Sequence, residues 1–396
     1  MTPYLVSGQA PGEPGKSTAT RPRRVCFLFT GQLHHVPHGL ETALALAKMP
    51  GMTVAIRVTS EAHLDLIRPV IPKDGPAPDL AMIGSASLRM LGRVRGSSVP
   101  PKKLTLLHAR EELNGYDAIV VPERTSTAAR RLGITAPKLI HIDHGAGDRS
   151  AGYDPRIADF DFVLLAGDKQ RERMIRQGLL KPGCFEIVGY PKFESADRIR
   201  PAIAYPFARR RPVLLYNPHF VSELSSWHRW GPDIIARIVE TGRYNLIVAP
   251  HVRLFEGGRA RRQALRLLEP CVGRPDIHID LGSHRSIDMT YTELADVYLG
   301  DVSSQVYEFL RRPRPCVFLN PNGADWLGNE DYAHWRYGRV IGHPQMLLPA
   351  LEAAHTDHQL FEHAQIRAFR QTFDVAAKPA SLRAASAIAR FCLRHA

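Results

Sequence analysis

Two histidines stand in matching places in this sequence. His144 follows the apolar run 138–143 and His251 follows the run 246–249, so each imidazole would sit just beyond the carboxyl end of a strand. An imidazole placed there can take a proton from a hydroxyl near neutral pH. Gly145 follows His144 in the loop HGAGDR, where glycine lets backbone approach a substrate, and Arg253 lies two residues beyond His251. A third group comes from residues 294–320. A short apolar run at 297–299 breaks at Gly300 and is followed by Asp301 and the paired hydroxyls Ser303 and Ser304; a helical pattern then ends before a second apolar run at 316–319. The loop leaving a parallel strand's carboxyl end faces the ligand crevice, and a helix starting there offers unpaired N–H groups and partial positive charge to an anion. Ser303 and Ser304 fit a phosphate seat. Glu308, on the same helical face as Ser304, fits the hydroxyls of a ribose or sugar. Plain structural roles compete: Ser303 as a helix cap, Glu308 as a first-turn acid, His144 as a hydrogen-bonding partner within its own loop. The repeated strand-end placement of two histidines is what favours chemistry.

Such residues need a scaffold that brings strand ends together. Strand candidates at 25–29, 53–58, 118–121, 138–143, 162–165 and 185–188 alternate with helical patterns at 40–48, 61–71 and 128–132, which predicts an α/β fold with a parallel sheet. The Pro- and Arg-rich stretch 200–211 reads as a linker. A second alternating set follows, with strands at 213–216, 246–249, 277–280, 297–299 and 316–319 and helices at 233–240 and 260–268. Helices at 344–354, 358–373 and 381–395 close the chain. The loop GQLHHVPHG after the first strand carries His34, His35 and His38; with no carboxylate or cysteine near in sequence, it reads as a cleft-lining loop, and no metal is expected. Residues 72–103 break the rhythm. There Met82, Ile83, Leu88, Met90, Leu91 and Val94 are interleaved with Arg89, Arg93 and Arg95, and Lys102 and Lys103 follow. That pattern fits peripheral contact of 81–103 with an anionic membrane surface, and equally a core-packed helix with a solvated basic face. Trp326, Trp335, Arg336 and Tyr337 form an aromatic-basic patch suited either to stacking on a base or sugar or to packing.

At 396 residues the chain exceeds the usual size of one core, so two domains of nearly equal size are expected. The net charge of +13 points to an anionic partner, a phosphorylated substrate or an acidic leaflet. Nucleic acid is set aside because the charge is spread along the chain without a helix-turn-helix, zinc-finger or RNP pattern. No run approaches the roughly 20 apolar residues of a membrane span. Residues 1–21 read as a disordered tail without a signal-peptide core. Five scattered cysteines suggest a reducing cytosol, so the expected location is cytoplasmic, with peripheral attachment to the inner face of the membrane.

The motifs together resemble the CDP-glycerol glycerophosphotransferases of the teichoic-acid polymerase type. GDVSSQVYEFLRRPRPCVFLN is similar to their T-D-Y-S-S-x-x-F-D-F...K-P signature: Asp301, Ser303 and Ser304 match, Tyr307 replaces Phe and Glu308 replaces Asp. HGAGDR resembles H-G-x-x-x-K, with Arg149 in the Lys position. GYPKFE resembles G-x-P-R-x-D, with Pro191 matching and Lys192 in the Arg position. LLYNPHF resembles Y-x-P-T-x-R, where Tyr216 and Pro218 match and the Arg does not recur; APHVR resembles L-H-P, where His251 matches and the Pro is missing. The likeness covers most of 138–320 in order and is only architectural upstream. It implies a GT-B arrangement, two Rossmann-like doubly wound domains facing a central cleft. Residues 22–200 would form the acceptor side, 201–375 the nucleotide donor side, and 376–396 a helix crossing back. It further implies transfer of glycerol phosphate from CDP-glycerol to a hydroxyl of a lipid-linked or polysaccharide acceptor in cell-envelope polymer synthesis, without a cofactor. In that reading His144 is the base, and His251 and Arg253 stabilise phosphoryl and leaving-group charge. Asp301, Ser303 and Ser304 hold the donor phosphates, Glu308 reads hydroxyls, and Gly145, Arg149, Pro191, Lys192, Tyr216 and Pro218 support the cleft. Three other readings stay open. One is a GT-B glycosyltransferase using a sugar nucleotide. Another is an enzyme like the UDP-N-acetylglucosamine 2-epimerases, which would call for more cleft carboxylates than Asp143 and Asp148. The third is a non-catalytic polyanion- or membrane-binding protein.

Overall fold

Short, nearly uninterrupted apolar runs become strands covered on both faces, as parallel strands between helical layers must be. The structure, a computed structural model, describes residues 21–94, 99–256 and 258–395; the tail expected at 1–21 lies outside them except for Arg21, as does Arg95. The first seven strands are β1 (Arg23–Phe29), β2 (Met52–Val58), β3 (Asp79–Met82), β4 (Ala118–Val121), β5 (Lys138–Ile142), β6 (Phe162–Leu165) and β7 (Phe185–Ile187). They form one sheet in the order β3-β2-β1-β4-β5-β6-β7. The next six are β8 (Val213–Asn217), β9 (Asn245–Val248), β10 (Ile277–Ile279), β11 (Val297–Gly300), β12 (Cys316–Leu319) and β13 (Arg339–Ile341). These form a second sheet in the order β10-β9-β8-β11-β12-β13. Pairing is parallel throughout, with Val25 opposite Ala118 and Leu299 opposite Tyr216. In each sheet the strand order reverses beside the first strand, β1 against β4 and β8 against β11. That switch point leaves a crevice at the carboxyl ends, because the flanking helices cross to opposite faces.

Where elements differ from expectation, edge position and proline explain most of it. β3 and β13 are short edge strands in which only Ile341 is buried, and they lack the apolar run that marks a buried strand. The helix expected at 233–240 spans Trp227–Thr241, with Pro232 inside it and Trp227 and Trp230 buried by its first turns. The helix expected at 61–71 stops at Ile67 and continues as a 3-10 turn, Arg68–Val70, at Pro69.

The chain returns to the first lobe near its end. Phe373 packs 4.6 Å from the Tyr190 ring, and in the final helix, Ala380–Arg394, Phe391 stacks on Phe162 at 4.7 Å. Ala384, Ala387 and Ile388 share a core with Val36, Leu40 and Ala43 of the helix Val36–Ala47.

The basic segment 81–103 divides its residues. Ile83 is buried, the Arg89 guanidinium donates to the Gly84 carbonyl, and the Lys102 ammonium is bound to Glu123. Met90 and Lys103 face outward, as do Leu104 and Leu107 just beyond the segment. Trp335 is 2% exposed and donates through Nε1 to the Asp301 carbonyl, so this member of the aromatic-basic patch is a core residue. Among the described residues no helix is long and apolar enough to cross a membrane, and all five thiols are free.

Candidate active site

The carboxyl ends of both sheets point into one cleft of about 490 Å³ between the lobes. The first lobe contributes the loops after β1 (His34, His35, His38), β4 (Glu123, Arg124) and β5 (His144, Gly145, Arg149); the second contributes those after β8 (His219), β9 (His251, Arg253) and β11 (Ser303, Ser304). Strand-end loops from two facing sheets meet because each sheet presents its switch point to the other.

His144 and His251 line this same cleft, and the His34 ring stands between them, 6.0 Å from one and 5.9 Å from the other. The two present opposite tautomers. His144 Nδ1 lies 2.7 Å from the Pro122 carbonyl, to which it can only donate, so Nε2 keeps its lone pair. His251 Nδ1 accepts from the Arg253 backbone N–H at 3.2 Å, so in the neutral ring Nε2 carries the proton. Burial, then the charges of His35 and Arg124, holds the His144 pKa well below the usual imidazole value. Burial, then Arg253 and Arg149, pushes His251 down to about 3. The site therefore offers one proton acceptor and one proton donor, both neutral.

Of the other expected residues, Gly145, Arg149, Lys192, Arg253, Ser303, Ser304 and Glu308 line the cleft. Arg149 lies 3.0 Å from His219 Nε2, and Arg253 lies over the Phe220 ring at 4.3 Å. Backbone approach explains the glycines: a Cβ on Gly147 would sit 3.0 Å from Ser304 Cβ, and one on Gly145 3.3 Å from Ser304 Oγ. The helix after the serines is a single turn, Gln305–Phe309, shorter than the sequence pattern suggests, so its dipole adds little to the serine hydroxyls. Ser303 Oγ accepts from the Gln305 N–H at 3.2 Å, a local turn contact that competes with a ligand role, whereas the helix cap itself is Ser304, whose side chain makes no capping bond.

Four expected positions stand outside the cleft. Asp301 is fully buried, and its Oδ2 accepts from the backbone N–H groups of His219 at 2.8 Å and Ser226 at 2.9 Å. It braces the β8 loop and does not line the cleft. Tyr216 is buried with its hydroxyl 2.8 Å from Ser226 Oγ, and the Pro218 carbonyl accepts from the His251 N–H at 3.0 Å. Pro191 lines a smaller cavity beside Tyr190. All four belong to the layer beneath the cleft. Glu308 is at the cleft but already engaged: its Oε1 accepts from Lys192 Nζ at 2.7 Å and from the Tyr190 hydroxyl at 2.8 Å, which leaves Oε2 for a ligand.

Sequence reasoning passed over Glu123, Arg124, His219 and His334. Glu123 follows β4 without a flanking motif. Burial alone would raise its pKa, but the neighbouring His35 ring and the Lys102 ammonium drive it well below the carboxylate range. The only usable signal was position, since both Glu123 and His219 lie just past apolar runs. Asp148, in the loop beyond His144, ties the lobes together. It accepts from the Tyr307 hydroxyl at 2.7 Å, from the His334 ring at 2.8 Å and backbone at 2.9 Å, and from Lys169 at 3.0 Å.

These buried histidines should make the fold acid-sensitive. Burial, their largest cause of shift, lowers His63 and His141 to about 4, His251 to about 3 and His219 to about 2. Each of these pKa values is depressed on folding, so the unfolded chain binds more protons below about 6.5 and stability falls as pH drops through that window. Each histidine contributes about 1.4 kcal/mol per pH unit until its folded pKa is reached. Asp301 works the other way, because burial raises it to about 7. The thermal midpoint is expected to fall between pH 7 and 5, before most carboxylates titrate; a flat profile there would show that these rings are not held neutral.

No known family matches the chain by sequence, and no curated protein does. Solved structures match over nearly the whole chain. A protein described as a putative UDP-N-acetylglucosamine 2-epimerase from Listeria monocytogenes is 16% identical, with 94% of this chain and 97% of that one covered and a TM-score of 0.61. The wall teichoic acid polymerase TagF, in a crystal soaked with CDPG, is 14% identical with 94% and 89% covered and a TM-score of 0.60. S. aureus MnaA in complex with UDP is 13% identical with 94% and 96% covered and a TM-score of 0.62. What is shared at such identities is the arrangement of two parallel-sheet lobes about a cleft, and the chain therefore has the GT-B fold.

Proposed function

We propose that this chain is a transferase acting on a nucleotide-activated donor, and more narrowly that it moves glycerol phosphate from CDP-glycerol to a hydroxyl of a lipid-linked or polysaccharide acceptor. The observation that carries the reading is the pair of opposed tautomers in one cleft: His144 with a free Nε2 lone pair and His251 with an Nε2 proton. Around them stand Arg124, Arg149 and Arg253, with Ser303 and Ser304 on the second lobe. In-line phosphoryl transfer needs little more than a base, fixed positive charge and positioning.

In this mechanism the acceptor hydroxyl gives its proton to His144 Nε2 as its oxygen forms a bond to the phosphorus that bears glycerol. The bond from that phosphorus to the CMP oxygen breaks, and the electron pair leaves on CMP. His251 Nε2–H and Arg253 stabilise the departing charge, Ser303 and Ser304 hold donor phosphate oxygens, and Oε2 of Glu308 accepts from a donor hydroxyl. Two features of the family likeness support the donor assignment: the D-x-S-S segment at Asp301 to Ser304 and the H-G pair at His144. The membrane contact of 81–103 would bring a lipid-linked acceptor to the first lobe through the exposed Met90 and Lys103.

A second reading, epimerisation of a UDP-sugar, gains from Glu123, a cleft carboxylate that sequence reasoning did not find. One experiment separates the two. The chain is incubated with CDP-glycerol, with and without a polyol phosphate acceptor, and separately with UDP-N-acetylglucosamine alone. CMP release that requires the acceptor is the expected result. Turnover of the UDP-sugar without any acceptor would replace the transferase reading with the epimerase one, and no turnover of either would remove both.

A further inference from the structure

The loop after β1 offers more than a cleft wall. One ring nitrogen from each of His34, His35 and His144 lies within 4.8 Å of the other two, although His144 is more than a hundred residues away in the chain. The His34 and His35 rings are 4.3 Å apart, and those of His35 and His144 are 4.4 Å apart. Nδ1 of His34 and Nδ1 of His35 are buried without a hydrogen-bond partner, an arrangement that costs free energy unless something else takes the lone pair or the proton. His144 is oriented as a ligating histidine would be, with its far nitrogen donating to a backbone carbonyl. Glu123 Oε1 lies 3.6 Å from His35 Nδ1 and Asp143 Oδ1 lies 3.7 Å from His144 Nδ1, so a carboxylate stands beside two of the three rings. Both carboxylates also meet cations, Lys102 and Arg124, which keeps the surroundings near neutral.

We propose that His34, His35 and His144 form a binding site for one divalent transition-metal ion of the Zn²⁺ or Co²⁺ class. Three imidazoles without a carboxylate ligand suit these ions and not Mg²⁺ or Ca²⁺, which take oxygen. A tetrahedral ion with Zn–N bonds of about 2.0–2.1 Å needs its nitrogens about 3.3 Å apart, so the ring nitrogens, now within 4.8 Å of one another, must close by up to about 1.5 Å, a shift for side-chain rotation. The fourth position opens into the cleft. Occupancy engages the His144 lone pair, so the metal is an inhibitor of the transfer reaction; this consequence, unlike binding itself, rests on the role of His144 as base.

The test is a titration of the tag-free chain, stripped with a chelator, with Co²⁺, followed by visible ligand-field absorption, and then competition of Zn²⁺ against a chromophoric chelator. One equivalent of Co²⁺ with tetrahedral bands is expected, displaced by Zn²⁺. His34→Gln and His35→Gln should each weaken binding by about a hundredfold. His363→Gln, at an exposed histidine far along the chain, should leave binding unchanged. Absence of tetrahedral bands in the unaltered chain overturns the proposal whatever the variants do, as does unweakened binding in a folded His34→Gln or His35→Gln chain. Metal binding in a chain that shows no transfer activity would uphold the site while removing the proposed base.

Discussion

Replacing His144 by alanine is expected to lower turnover by at least about a hundredfold while leaving nucleotide binding in place, and replacing His251 should do the same. The reasoning differs for each. His144 has its Nδ1 proton committed to Pro122, so the ring presents an acceptor to the cleft; without it, that imidazole acceptor is lost from the spot. His251 presents a donor, and its loss removes a hydrogen bond needed most as the leaving group gains charge. Neither ring forms part of the serine-bearing loop after β11, so CMP should still raise the thermal midpoint of both variants. Steady-state release of CMP, with thermal shift as the binding control, decides the matter. Near-normal turnover in both variants would remove the mechanism.

The Asp148→Ala variant should be strongly destabilised, by about 3–5 kcal/mol. Asp148 is 4% exposed and satisfies the Tyr307 hydroxyl, the His334 ring and backbone, and Lys169 at once. Burial alone would raise its carboxyl, but the Lys169 charge and the hydrogen bonds from His334 and Tyr307 hold it ionised well below the usual range. Removing it leaves the Lys169 ammonium without its counter-ion and the Tyr307 hydroxyl and His334 ring without their acceptor in a partly closed interior, and the cost of stranding such groups exceeds the worth of the pair. Because Tyr307 and His334 come from the second lobe and Asp148 and Lys169 from the first, the loss should also loosen the seam between lobes. A denaturant midpoint equal to that of the unaltered chain would contradict this role.

The sequence by itself determined the alternation of strands and helices, the strand-end placement of His144, His251, Ser303 and Ser304, and the family likeness, because each depends on residues close in the chain. An apolar run of four or five residues ended by glycine or histidine encodes both a buried strand and the loop that leaves it. Only the tertiary structure decided which way those loop side chains turn. Asp301 sits beside Ser303 in sequence, yet it turns inward to cap two backbone N–H groups of the β8 loop, a demand set by residues some 80 positions away. Glu308 is drawn to Lys192 and Tyr190 across the seam, and Glu123 to Lys102 and His35. The three-histidine cluster likewise has two members from one loop and a third from another, and no local pattern predicts their meeting. A buried polar side chain is oriented by whichever partner satisfies it, and in a two-lobed fold that partner is most often distant in the chain.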